Sequence, residues 1–171
     1  MEGTMYTPRL HLSPSVRRAV LTVHIVASVG LLGDCAAIVA VNLRAATTDD
    51  PSFARAGYEL LSMFSLVFGI PLSFGSLLSG VVLGLGSKWG VLRYRWVMAK
   101  LALNVSVILV GALLIGPTTA ALIDGRDGSE TLLIVASAYD VVVLTLATGL
   151  SVYKPRRARD RRVPRRRAVA A

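Results

Sequence analysis

Four uninterrupted apolar stretches dominate this chain and leave little freedom in how it folds. They run near residues 19–43, 58–85, 94–116 and 131–153. A helix needs about 20 residues to cross the hydrocarbon core of a bilayer, and each stretch reaches that length. Inside a bilayer, backbone N–H and C=O groups must bond within their own segment, so a run of this kind spans as a helix. The predicted fold is all-α: a polytopic membrane protein with four transmembrane helices in an up-and-down bundle. Residues 1–18 form an N-terminal segment, 19–153 the membrane domain, and 154–171 a basic tail. Of the 171 residues, 54% are apolar and 17% charged. The first stretch is too long for the apolar core of a cleaved signal, about 7–15 residues, and reads as a retained span. Asp34 stands where a lipoprotein signal needs a small residue, which argues against lipidation of the single cysteine, Cys35.

The charges sit unevenly. The net charge is +9, and 16 of 19 basic residues precede the first stretch, lie in or beside the connection from the second to the third, or follow the fourth. Arg44, Arg55 and Arg126 are the exceptions. Basic residues accumulate on the cytoplasmic side, so both termini are expected there, in a cell inner (plasma) membrane. The tail from Lys154 is rich in arginine, broken by proline and without apolar periodicity. It is expected to be disordered and to lie on anionic lipid headgroups. A sharper reading makes it a docking strip for a protein partner. Nucleic acid is not expected, because the tail offers no aromatic residue for base stacking.

Polar residues inside the spans are the candidate functional groups, since an ionisable side chain in a membrane helix needs a partner or a use. Asp34 and Asp140 each lie nine residues from the outer end of their expected span, roughly 13 Å deep at 1.5 Å per residue. Spans one and four can be neighbours, so the two carboxyls can meet and share a proton, hold a cation, or act as a hydrogen-bonded strut. His24 shares a helical face with Ser28, Leu31, Cys35 and Asn42. It reads as a structural or proton-sensing histidine, with a ligand role as the alternative. Asn104, one turn beyond Lys100, completes a polar lining of the bundle. Lys100 itself is expected to snorkel toward the cytoplasmic interface, where Trp89, Tyr94 and Trp96 form an aromatic belt.

In span two, Ser65, Gly69, Ser73, Ser76, Gly80 and Gly84 recur at spacings of three and four. That ladder predicts a close helix-packing seam. Pro71 is expected to kink the span, and Pro117 and Pro155 to close spans three and four. No catalytic motif appears. The glycines of GLGSKWG, 84–90, lack the spacing of a phosphate loop and join two membrane helices rather than a strand and a helix. No internal repeat is evident, no cofactor is expected, and no enzyme activity is read.

Three segments carry a family resemblance: HIVASVGLLGD (24–34), DDPSFARAGYELLSMFSLVFGIPLSFGSLLSG (49–80) and LGLGSKWGVLRYRWVMAKL (83–101). Together they resemble the bacterial integral-membrane family called domain of unknown function 2269, over about residues 17–153. The most distinctive part is Gly86 to Trp96. The family is similar, more distantly, to copper-resistance D-type membrane domains. The resemblance implies a four-helix inner-membrane protein and carries no activity. From the residues and the resemblance together, the chain reads as a non-catalytic binding or regulatory module that is proton- or cation-responsive. The alternative is a metal- or haem-linked redox or copper-handling module. The bilayer is the expected partner, with a protein partner or a second copy as further candidates.

Overall fold

A computed structural model describes residues 12–86 and 95–153. Among these residues every regular element is helical. Span one is α1, Pro14–Ala46. Span two is α2, Pro51–Phe64, continued through a π-helical turn, Ser65–Gly69, into α3, Ile70–Leu85. Span three is α4, Arg95–Val110, continued through a second π-helical turn, Gly111–Ile115, into α5, Gly116–Ile123. Span four is α6, Glu130–Tyr153. All four are long and apolar enough to cross a membrane.

The helix ends follow local chemistry. Ser13 caps α1 by accepting from the Val16 N–H at 3.4 Å, and Pro14 takes the first helical position, where its missing N–H costs nothing. Asp50 does the same for α2, accepting from the N–H groups of Ser52 and Phe53 at 2.9 and 3.3 Å, with Pro51 behind it. Because Ser52 also donates its hydroxyl to Asp50, these bonds hold the Asp50 carboxyl below its ordinary range. Helix α5 ends in a Schellman turn. Gly125 takes φ +65°, Arg126 N–H reaches the Ala121 carbonyl at 2.9 Å, and Gly125 N–H reaches Leu122 at 3.3 Å.

These caps carry the helices past the expected spans. Helix α1 has 33 residues, about 50 Å at 1.5 Å per residue, against a hydrocarbon core of about 30 Å. Span two begins at Pro51 rather than 58. Pro117 does not close span three, which runs on to Ile123. A proline removes one helical hydrogen bond and crowds the preceding turn. Here the turn before it widens instead of ending, and Gly116 N–H bonds to Gly111 five residues back. Pro71 sits in the same setting, with Ile70 N–H bonded to Ser65. It is carried inside a helix that runs unbroken from Pro51 to Leu85.

Each span packs against its neighbours in sequence, and span four closes the ring onto span one. The bundle therefore has two ends: a terminal end, near residues 14, 85, 95 and 153, and a loop end, near 46–51 and 123–130. One apolar core, including Ile38, Tyr58, Leu61 and Leu133, lies toward the loop end. A second gathers Leu31, Cys35, Val107, Val143 and Leu144. The outside is apolar as well: Val29 is 64% and Leu113 67% exposed. In water that would be a liability, and in lipid it is the solvated surface.

Candidate functional site

Two clusters of polar side chains stand out inside this bundle. The first lies toward the terminal end, between α1, α3 and α4. The His24 Nδ1 lies 3.0 Å from the Ser76 carbonyl oxygen and 3.1 Å from Ser79 Oγ. A carbonyl oxygen has only lone pairs, so Nδ1 carries the proton and donates. Ser79 donates its own hydroxyl to the Gly75 carbonyl at 2.5 Å, which leaves its oxygen to accept from His24. Ser28 Oγ and Ser76 Oγ are 2.8 Å apart, and Asn104 Nδ2 donates to Ser76 Oγ at 3.3 Å. Three spans meet on Ser76.

Span two fits here because its ladder is small. A methyl group at Gly80 would stand 3.1 Å from His24 Cε1. The ladder therefore makes room for polar side chains as well as for backbone. Gly84, one turn on, is half-buried on the same helix. The half-buried Lys100 lies within electrostatic reach of His24. Trp96 is half-buried, whereas Trp89 and Tyr94 lie outside the described residues, as do the Ser87–Tyr94 connection and the 154–171 tail.

The second cluster lies deeper and is built differently. Spans two and three pack at the loop end, α2 on α5, and toward the terminal end, α3 on α4, while their π-helical turns make no comparable contact. The spans part at that level, and a cleft of about 370 Å³ opens between them. Both turns line it, through Ser65 and Gly69 on one side and Gly111 and Ile115 on the other. Behind the opening stand Asp34, Cys35 and Asp140 from spans one and four. The sequence expectation that Asp34 and Asp140 meet is realised only as a shared cleft, with no hydrogen bond between the two carboxyls. Each keeps a buried oxygen without a partner, Asp34 Oδ2 and Asp140 Oδ1. Asp140 is 3% exposed. A methyl group at Gly69 would lie 3.2 Å from Asp34 Oδ2, so this glycine reserves the space in front of the carboxyl. Ser73, also on the lining, is occupied with the Ile70 carbonyl at 2.9 Å.

Thr119 joins this site from span three, with its Oγ1 buried and unpartnered. Reading Pro117 as a stop hides it, because Thr119 then falls outside the membrane. Asn42, expected in the polar lining, sits closer to the loop end. It is 1% exposed and donates to Ser137 Oγ at 3.2 Å, tying span one to span four. Ser137 sends its own hydroxyl back to the Leu133 carbonyl at 2.8 Å.

Among the described residues no three His, Cys, Asp and Glu side chains converge as a metal-binding group. Hydroxyls, an amide and a lysine surround His24, and Cys35 is a buried free thiol.

No curated protein matches this chain, and no solved structure does. A family model described as a predicted integral membrane protein, domain of unknown function 2269, matches residues 18–123. The match takes in His24, Asp34, both π-helical turns and Thr119, and it stops short of span four and Asp140. The chain belongs to this family of integral membrane proteins.

Proposed function

We propose that this protein is a non-catalytic membrane module that takes up and releases a proton or a monovalent cation at Asp34 and Asp140. The reading places it in a cell inner membrane with both termini in the cytoplasm, as its basic connections favour. One observation carries the proposal: Asp140, almost wholly buried, keeps an unpartnered oxygen in the cleft where Asp34 keeps another. A structural strut spends a polar atom on a neighbouring helix, as His24 does with Nδ1 and Asn42 with Nδ2. An acceptor left unpaired in an apolar interior costs about 1–3 kcal/mol, and a proton or cation would offset that cost. Among the described residues, the Cys35 thiol is the one other titratable group on the lining. Spans two and three face the carboxyls with Ser62, Ser65, Ser73 and Thr119 among apolar side chains.

Infrared difference spectra of the protein in nanodiscs, taken across a pH step and across a sodium-for-choline exchange, test this. A carboxyl carbonyl band should change, and the change should shrink in Asp34→Asn and in Asp140→Asn. Spectra of both variants that match the wild type would remove the proposal.

A further inference from the structure

The mid-membrane cleft faces sideways. Its rim carries Leu66, Ile70 and Phe74, exposed by 63%, 49% and 47% on the apolar outside of the bundle. Ala112 and Gly116, both exposed, form the opposite rim on span three. Anything entering between the two π-helical turns therefore comes from the lipid phase. At its floor it meets three buried oxygens without partners: Asp34 Oδ2, Asp140 Oδ1 and Thr119 Oγ1. The volume, about 370 Å³, falls in the range of roughly 300–1,000 Å³ that small-molecule pockets occupy.

These features specify a ligand chemistry. The unpartnered groups include two carboxyls, which accept hydrogen bonds and bear negative charge once deprotonated, and the rest of the lining is largely apolar. We infer that the cleft is a lateral binding site for a lipophilic primary amine, held by its ammonium against Asp34 and Asp140 with its hydrocarbon chain between the π-helical turns. An ammonium brings three N–H donors to the three orphaned oxygens and a positive charge to the carboxyls. A neutral lipid chain would fill the space and leave the oxygens unpaired. This inference rests on the same carboxyls as the function proposed above and names an organic occupant for them.

The test is saturable binding of radiolabelled octylamine to the full chain in nanodiscs, with empty nanodiscs subtracted and octanol as the neutral match. Octylamine should saturate at one per chain and octanol should not. Asp140→Asn should weaken octylamine about tenfold or more, the scale of a lost charge-assisted hydrogen bond. Ala112→Trp should also weaken it, because the indole closes the rim from a lipid-facing position and leaves the carboxyls intact. Equal binding of octanol, or octylamine binding that ignores both variants, would overturn the inference. Failure of octylamine to bind while the carboxyl band still responds to pH sinks this inference alone. Saturable amine binding with no carboxyl response to pH or sodium sinks only the proton and cation reading.

Discussion

The His24 cluster and the Asp34–Asp140 cleft are made from the same kind of material, polar side chains held between apolar helices, and they are finished in opposite ways. Around His24 the ring N–H bonds to a carbonyl, the amide N–H to a hydroxyl and hydroxyl to hydroxyl, with one amide oxygen, Asn104 Oδ1, left over. In the cleft the acids are placed and left incomplete. The first arrangement joins helices. The second keeps them apart at one level and holds acceptors ready. A polar group in a membrane protein is thus better judged by what its neighbours leave undone than by its presence in a span.

Four measurements press on this contrast. The largest effect is expected at Gly80→Leu, which drives a side chain into the His24 ring across a 3.1 Å gap. Overpacking of this kind costs about 1–3 kcal/mol, and unfolding in mixed micelles should show a loss in that range. His24→Ala comes next. It deletes the donor to Ser76 and Ser79, and interhelical bonds in bilayers average about 0.6 kcal/mol and reach about 1.7. A stability loss below detection would mean that the His24 cluster is not the clamp described above.

A smaller and local effect belongs to Asp50→Ala, read by hydrogen exchange at Ser52 and Phe53. The folded carboxyl titrates below its ordinary value of 3.8 because of its bonds to Ser52 and Phe53. The cap's contribution is therefore full above pH 3.8 and fades as pH falls through the lower folded value. The wild type should lose protection at these amides on acidification, and the variant should lack it at every pH. Smallest of all, Asp140→Asn should leave stability close to that of the wild type, because no bond of Oδ1 is lost. A large loss there would turn the cleft into a second strut and erase the contrast.

Much of this architecture is legible in the residues. Length and apolarity give the four spans, helical spacing puts His24, Ser28, Cys35 and Asn42 on one inward side, and the small ladder of span two marks the surface they meet. Three things are not legible. Helix length is set by caps at Ser13 and Asp50, outside the apolar runs that define a span. The π-helical turns depend on how a helix absorbs proline. Pro71 and Pro117 each signal disturbance, yet local sequence does not say whether a helix stops, bends or widens. The stretches SLVFGIP (65–71) and GALLIGP (111–117) place the turn identically against the proline, a likeness visible only once both turns are seen. The cleft follows from both turns lying at one depth, which is a property of packing.

A π-helical turn is a helix with one residue more than its neighbours need. An α-helix advances about 100° per residue, so drawing 65–69 into plain α-helix without removing a residue would turn everything after it by about that angle. Ser76, Ser79 and Gly80 would swing away from His24, and Gly75, Leu78 and Ser79 would come round to their places in the seam. The turn that opens the bundle at its middle thus also keeps its far half in register, and the helix cannot be straightened there without unlocking the clamp below it.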